Sequence, residues 1–120
     1  TAVILITHAL GIVADFCDRT LVLYGGQVME EGDTDHIFAE PSNPYTMGLL
    51  QAVPRLDRDD DTLATIAGEP PDMSRLPEGC PFSPRCKVVR DECPTVRPPL
   101  GEFGENRRRA CHIPVSELAR

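Results

Sequence analysis

The residues best suited to chemistry are four cysteines in the last third of the chain: Cys80, Cys86, Cys93 and Cys111. Four thiols in one short, proline-rich segment can form disulfides, hold a zinc ion or hold an iron–sulfur cluster. The segment contains few aliphatic side chains to bury, so we expect a cross-link of one of these kinds to order it. The sequence opens without a recognisable secretory leader, so we expect a reducing compartment, which favours metal over disulfides.

The spacing of these cysteines, C-x5-C-x6-C-x17-C, does not identify the metal. Structural zinc sites usually pair ligands about two to four residues apart, and neither common ferredoxin spacing matches. Pro81 and Pro94 directly follow two of the cysteines and interrupt regular structure, which leaves thiols on turns. Zinc and iron–sulfur both stay open, and His112 beside Cys111 allows a zinc site of three cysteines and one histidine.

Basic residues lie close to the cysteines in the sequence: Arg85, Lys87, Arg90 and the run 107–109. Cations lower the pKa of nearby thiols and favour the thiolate that binds metal. An equally good interpretation of the arginine run is a solvated surface patch.

His8 is the second candidate, because it directly follows the apolar run of residues 2–6. Ligands of open α/β sheets bind at the carboxyl ends of strands, so a histidine at this point can contact a ligand. The alternative is that Thr7 or His8 caps the helix that follows.

The net charge of −7 is unevenly divided, with −10 on residues 1–74 and +3 on residues 75–120. The acidic first part argues against nucleic-acid binding, which needs a concentrated basic face. No apolar run reaches the roughly 18 residues that a membrane-spanning helix needs.

The elements that would position these side chains follow an α/β pattern over residues 1–54. Residues 2–6 form a continuous aliphatic run, typical of a strand in a parallel sheet. Leu10, Val13 and Ala14 then recur at helical spacing together with Cys17, which we expect to pack as a buried free thiol. The dipeptide Gly25-Gly26 predicts a hairpin turn within RTLVLYGGQVMEEG.

Two short helices are predicted after the hairpin. Thr34 and Asp35 are expected to cap the first, which Pro41 ends. Asn43 and Pro44 open the second as cap and first helical residue, and its apolar face consists of Tyr45, Gly48, Leu49 and Ala52. The acidic run DRDDD indicates a solvated linker, and nine of the twelve prolines occur from Pro70 onward, which predicts a loop-rich end.

Several segments resemble one family: VILITHALGIVADFCDRTLVLYGGQVMEEG, NPYTMGLLQAVPRLD, IAGEPPDMSRLPEGCPFSPRC and ACHIP. Together they resemble the C-terminal part of the ATP-binding subunit of oligopeptide/dipeptide ABC transporters. The first third of the chain resembles ABC ATPases in general. NPYTMGLLQAVPRLD and the cysteine-rich end resemble the peptide and nickel importer branch.

The resemblance implies an α/β fold, with the C-terminal portion of a P-loop ABC ATPase nucleotide-binding domain in residues 1–54. An acidic linker over residues 55–74 and a loop-rich cysteine-containing region over residues 75–120 would follow. His8 would be the switch histidine that contacts the γ-phosphate of ATP. The four cysteines match those that bind a 4Fe-4S cluster in some members, with zinc as the alternative metal.

The resemblance also implies partners and a location. The partners would be a second ATPase subunit, membrane permease subunits and a substrate-binding protein of a peptide or nickel importer, and not nucleic acid. The subunit would be cytoplasmic and peripheral on the inner face of the cell membrane.

Three motifs of the family are missing: the G-x-x-x-x-G-K-[ST] phosphate loop, the LSGGQ-type signature and the acidic Walker B strand. We expect them upstream of Thr1, and without them this chain alone should not hydrolyse ATP with Mg²⁺. Ala9 stands where the family usually has an acidic residue, which bears on how His8 is positioned. Two other interpretations are a stand-alone structural or redox metal-binding module and a subunit-docking piece without ATPase activity.

Overall fold

The computed structural model describes residues 2–7, 9–52, 66 and 68–118, which form a small α/β domain built on one antiparallel sheet. The four strands lie in the order β1-β2-β4-β3. In chain order the elements are α1 (Leu10–Phe16), β1 (Arg19–Tyr24), β2 (Gln27–Asp33), α2 (Thr34–Ala39), α3 (Pro44–Gln51), β3 (Gly101–Glu102) and β4 (Arg108–Arg109).

The predicted hairpin is confirmed, and strands β1 and β2 meet at Gly25 and Gly26. Both glycines have positive φ angles, 58° and 78°, which the tight two-residue turn requires and which side chains disfavour. Along β1 the buried residues Val22 and Tyr24 alternate with the exposed Leu21 and Leu23, as expected for a strand with one covered face.

The predicted strand over residues 2–6 is not formed, because the described residues 2–7 carry no regular secondary structure. The side chains of Val3, Ile4 and Ile6 are 84%, 90% and 92% exposed. A strand is stable only when hydrogen-bonded neighbours and a packed face are present, and none of the described strands pairs with this run.

Helix α1 occurs where the apolar spacing predicts it, but only Val13 of its predicted face is buried. Ala14 is exposed, and Cys17 is half-buried rather than buried. The helix itself was predicted correctly, but its packing was not, because the described residues provide little surface opposite this face.

The capping prediction is wrong for α2 and right for α3. Thr34 is the first residue of α2, and its hydroxyl pairs with that of Thr20 at 2.8 Å instead of capping. Asn43 caps α3 as predicted, since its side-chain oxygen accepts from the backbone N–H of Tyr45, and Pro44 takes the first helical position.

The loop-rich end of the chain is not separate from the hairpin. Strand β4 pairs with β2, with Glu30 opposite Arg109 and Glu31 opposite Arg108, and β3 then pairs with β4. Two short 3-10 turns, Ser83–Arg85 and Val115–Glu117, are the other regular elements described in this part. The acidic run predicted as a linker lies outside the described residues.

A buried ion pair joins this end to the hairpin. Glu30 is fully buried, and its carboxylate accepts from the Arg107 guanidinium at 3.2 Å and from the Ser42 backbone N–H at 3.0 and 3.1 Å. Arg107 also donates to the Glu40 carbonyl at 2.7 Å. Burial raises the pKa of Glu30 above its ordinary value, although Ser42, Thr46 and Arg107 all act to lower it.

The neighbouring arginines make similar contacts. Arg108 forms an ion pair with Glu31, and Arg109 donates to the Ser42 carbonyl at 2.9 Å. The guanidinium carbons of Arg107 and Arg109 lie 4.7 and 5.6 Å from the centroid of the Phe103 ring. The interpretation of this run as a solvated patch is therefore wrong for Arg107, which is buried against Glu30 of β2, whereas Arg108 is exposed and pairs with Glu31.

One cluster of the apolar core consists of Tyr24, Met29 and Phe82. The rings of Tyr24 and Phe82 pack edge to face at 5.3 Å, and Tyr45 of α3 packs against both. The core thus joins the hairpin, helix α3 and the cysteine segment. Within the described part of the chain, no helix is long and apolar enough to cross a membrane.

Replacing Arg107 by Met should lower the free energy of unfolding by about 3 kcal/mol at neutral pH, because Glu30 then keeps a buried charge without its partner. The pKa of Glu30 is already raised in the folded state, and loss of Arg107 raises it further. When folding raises the pKa of a carboxyl, the group causes no loss of stability at a pH below its unfolded-state pKa. The folded state loses stability as the pH rises through the folded-state pKa. The deficit should therefore grow with pH, measured as urea unfolding at pH 5 and 7.5.

The matched control is Arg75→Met, since Arg75 is exposed. We expect it to change stability by about 0.5 kcal/mol or less at both pH values. A deficit for Arg107→Met that is the same at pH 5 and 7.5 would contradict the assignment of the effect to Glu30.

Candidate functional site

The four cysteines singled out from the sequence line one pocket. His112 lies on its wall as well, and the remaining lining residues are Asn43, Pro44, Phe82, Ser83, Pro98, Ala110 and Ile113. The pocket thus lies where the start of α3, the loop after the core residue Phe82 and the end of the chain meet. All five cysteines of the chain, including Cys17, are free thiols.

Backbone hydrogen bonds hold Cys80 beside Cys93. The N–H of Cys80 donates to the Cys93 carbonyl at 2.7 Å, and the N–H of Gly79 donates to the Pro94 carbonyl at 3.0 Å. Gly79 permits this approach, since a Cβ atom at this position would lie 2.2 Å from the Cys93 carbonyl oxygen. The two chain segments can therefore adopt this spacing only with glycine at position 79.

A 3-10 turn over Ser83–Arg85 separates Cys80 from Cys86 and fixes their relative positions. The N–H of Ser83 donates to the Cys80 carbonyl at 3.1 Å, and the N–H of Cys86 donates to the Ser83 carbonyl at 3.4 Å. The Arg85 guanidinium donates to the Tyr24 hydroxyl at 3.2 Å, so the turn is attached to the hairpin.

Cys111 comes from the end of the chain, directly after strand β4. The N–H of Ala110 donates to the Met29 carbonyl at 2.8 Å, so β2 fixes the backbone immediately before this thiol. His112 Nε2 contacts the Val96 carbonyl at 2.5 Å. This contact leaves Nδ1 as the ring nitrogen of His112 that could bind a metal ion.

Cys80, Cys86 and Cys111 each have a pKa above the ordinary value of a thiol. The pKa of Cys86 is raised to about 11, chiefly by burial and with smaller contributions from the nearby thiols of Cys111, Cys80 and Cys93. Burial also raises the pKa of Cys80 and of Cys111, although Arg109 acts to lower that of Cys111. The positive charges of Arg109 and Arg90 do act to lower the pKa of Cys111, as expected, but burial outweighs them.

The pocket has the donor types of a thiolate metal site without a completed set of ligands. Four thiols are the donors that zinc and iron–sulfur clusters use, and these four line one pocket. Among the residues that the structure describes, however, no group of three or more His, Cys, Asp or Glu side chains is arranged to hold a metal ion.

His8 lies outside the described residues, so its environment stays a prediction. Its neighbours are described, and the hydroxyl of Thr7 accepts from the N–H of Ala9 at 2.9 Å. Ala9 is the N-cap residue of α1, and no side chain caps this helix.

Residues 29–93 match the protein family described as "Oligopeptide/dipeptide transporter, C-terminal region". The chain belongs to this family. The resemblance carried by the NPYTMGLL segment and by the start of the cysteine-rich end is thereby confirmed, and the matched residues include three of the four pocket cysteines.

Three relatives are named as oligopeptide transport ATP-binding protein OppD. The protein of Escherichia coli strain K12 is 52% identical over 118 residues, which cover 98% of this chain and 35% of the relative. That of Haemophilus influenzae is 47% identical over 118 residues, covering 98% and 36%. That of Mycobacterium tuberculosis is 47% identical over 110 residues, covering 91% and 18%. The chain thus spans about a third or less of the length of these relatives.

Sequence reasoning missed the residues that hold the pocket together. Gly79 stands in a run of turn-forming residues and gives no separate signal. The pairing of Glu30 and Glu31 with the arginine run had a signal in the opposite net charges of the two parts of the chain. Charge alone does not say which acidic residue meets which arginine.

Replacing Gly79 by Ala should disrupt the pocket, because its Cβ would overlap the backbone of residues 93–95. The overlap concerns backbone rather than a flexible side chain, so we expect a loss of about 3 kcal/mol in stability. Thermal unfolding measures the loss, and faster alkylation of Cys80 and Cys93 should accompany it.

Gly11→Ala is the matched control, since nothing lies within 4 Å of its added Cβ. Gly11 is in α1, where Ala is the better helix former, so this variant should be neutral or slightly more stable. Equal stability of the two variants would refute the assigned role of Gly79.

Proposed function

We propose that this chain is the C-terminal portion of an ATP-binding subunit that energises import of oligopeptides or dipeptides by an ABC transporter. The observation that carries the proposal is 52% identity to an oligopeptide transport ATP-binding protein over 98% of the chain. Nickel is the alternative cargo, because the nickel importers form part of the branch that the sequence resembles.

Within this proposal, residues 1–54 belong to the nucleotide-binding domain, residues 55–74 form a linker and residues 75–120 form the cysteine-containing region. The apolar side chains on the surface support the assignment of the first part. Val3, Ile4, Ile6 and Phe16 are each 79% exposed or more. Several large apolar side chains exposed in a short stretch of sequence are consistent with a surface that contacts further protein, here the rest of the ATPase subunit.

His8 is the proposed catalytic residue. Its imidazole would contact the γ-phosphate of ATP and help to orient the attacking water. The chain lacks the phosphate loop, signature and Walker B motifs, so ATP and Mg²⁺ would bind through other parts of the subunit. The chain alone should therefore be inactive.

Cys80, Cys86, Cys93 and Cys111 are the proposed ligands of a 4Fe-4S cluster, with zinc as the alternative. The support is their common pocket, their donor chemistry and the need to order a segment with little apolar core. A bound metal centre would supply a cross-link between the three chain segments that carry these thiols. The thiols must lose their protons on binding, so loading should be favoured by rising pH.

The proposed partners are a second ATPase subunit, membrane permease subunits and a substrate-binding protein, without nucleic acid. The subunit would be cytoplasmic, bound peripherally to the inner face of the cell membrane. The support is the name of the relatives, oligopeptide transport ATP-binding protein.

A chimera tests the transport function directly. This chain replaces the 118 matching residues of the Escherichia coli relative, and growth on an essential oligopeptide is measured in a strain that lacks its own subunit. We expect restored import and ATP hydrolysis. A folded chimera that assembles but supports neither would contradict the proposed function.

His8→Ala in the same chimera should reduce ATP hydrolysis by about 100-fold or more, because a positioned proton-transfer or orienting group is lost. His36→Ala is the control, since His36 is an exposed histidine of α2. Full activity of the His8 variant would reject its catalytic role and leave the transport function intact.

Metal analysis of the anaerobically purified chain tests the cysteine site. We expect about four irons per chain with broad visible absorption for the cluster, or about one zinc for the alternative. Cys86→Ser should lower the metal content, and Cys17→Ser, outside the pocket, should not. A chain without metal under these conditions would reject the proposed centre.

A further inference from the structure

Asn43 uses every hydrogen-bonding group of its side-chain amide except one lone pair, while being only 1% exposed. Its Nδ2 donates to the Met29 carbonyl at 3.1 Å and to the Ala110 carbonyl at 3.0 Å. Its Oδ1 accepts from the Tyr45 N–H at 2.9 Å. One side chain therefore joins strand β2, the start of α3 and the end of the chain.

The bond to Ala110 bears on the cysteine pocket, because Ala110 directly precedes Cys111. Ala110 is held on both sides, with its N–H on the Met29 carbonyl and its own carbonyl on Asn43. Asn43 also lines the pocket together with Cys111. Loss of the amide would leave a buried carbonyl unpaired and release the backbone next to the thiol.

The other pocket cysteines have independent supports. Cys80 is bonded to Cys93 through the backbone, and Cys86 is bonded to Ser83 in the 3-10 turn. None of these bonds involves Asn43. A disturbance at Asn43 should therefore affect Cys111 before it affects the remaining thiols.

We propose that Asn43 is a positioning residue, which through the Ala110 carbonyl sets the place of Cys111 in the pocket. Its single amide thus has two roles, as the cap of α3 and as the link that holds the fourth thiol against the first three. The placement of the thiol stands on the hydrogen bonds alone, whereas any consequence for metal binding rests on the proposed cysteine centre.

The two roles are separated by Asn43→Asp. Aspartate keeps an oxygen that accepts from the Tyr45 N–H, so the cap is retained. Its second oxygen cannot donate and would face two carbonyl oxygens, so the link to Ala110 is lost. In the reduced, metal-free chain we expect Cys111 to react with iodoacetamide about tenfold faster, by peptide mass spectrometry, while Cys80 and Cys86 change by about twofold or less.

Asn106→Asp is the matched control, because Asn43 and Asn106 are the two asparagines of the chain. Asn106 is exposed, and its φ of 57° lies in a region that aspartate tolerates. The control makes the same change of charge, and we expect all thiol rates to be unchanged.

Asn43→Ser is a second variant, in case the aspartate variant does not fold. Serine keeps a capping oxygen, adds no charge and has no amide to link the two carbonyls. It should also accelerate the reaction of Cys111 selectively. An unchanged Cys111 rate in the folded variants, or an equal increase at all five cysteines, would overturn the positioning role.

Zinc titration of the same samples distinguishes this inference from the proposed cysteine centre. If the parent chain binds zinc, Asn43→Asp should weaken the affinity by about tenfold and Asn106→Asp should leave it unchanged. If the parent chain binds neither zinc nor iron, the proposed centre fails. The alkylation rates then still decide whether Asn43 positions Cys111.

Discussion

The buried pair of Glu30 and Arg107 is the interaction on which the rest of the described structure depends. Glu30 is completely enclosed, so its charge is tolerated only because a guanidinium and a backbone N–H face it. Arg107 brings β4 alongside β2, and β4 leads directly into Ala110 and Cys111. Without this pair, the end of the chain would have little apolar surface of its own to hold it on the hairpin.

The cysteine pocket is consequently a product of long-range contacts. Its walls come from the start of α3, from the loop over the aromatic core and from the segment after β4. Enclosure between these walls raises the pKa of Cys80, Cys86 and Cys111, and at Cys111 it outweighs the nearby positive charge. A metal ion entering the pocket would therefore compete with the protons of Cys80, Cys86 and Cys111.

Family membership gives these contacts a functional setting. The chain belongs to the C-terminal regions of oligopeptide/dipeptide transporters, and its relatives are about three times as long or more. In the proposed subunit, the hairpin of β1 and β2 belongs to the nucleotide-binding domain and also contacts the cysteine-containing region. Its exposed residues Leu21 and Leu23 face away from the cysteine region, whereas Tyr24 and Met29 pack with Phe82 beside the pocket.

The sequence by itself determined the local structure. Gly25-Gly26 set the hairpin and Asn43-Pro44 set the start of α3, because positive φ angles, a capping oxygen and a fixed proline φ act within a few residues. The cysteine spacing also identified the four thiols of the pocket, although it did not identify a metal.

Only the tertiary structure decided the rest. The apolar run of residues 2–6 has the composition of a strand, but no strand among the described residues pairs with it, so composition could not decide its state. The partners of Arg107, the close approach at Gly79 and the double role of Asn43 all join residues that are distant in the sequence. Local sequence patterns do not predict such contacts, because burial and hydrogen bonding depend on which segments the fold brings together.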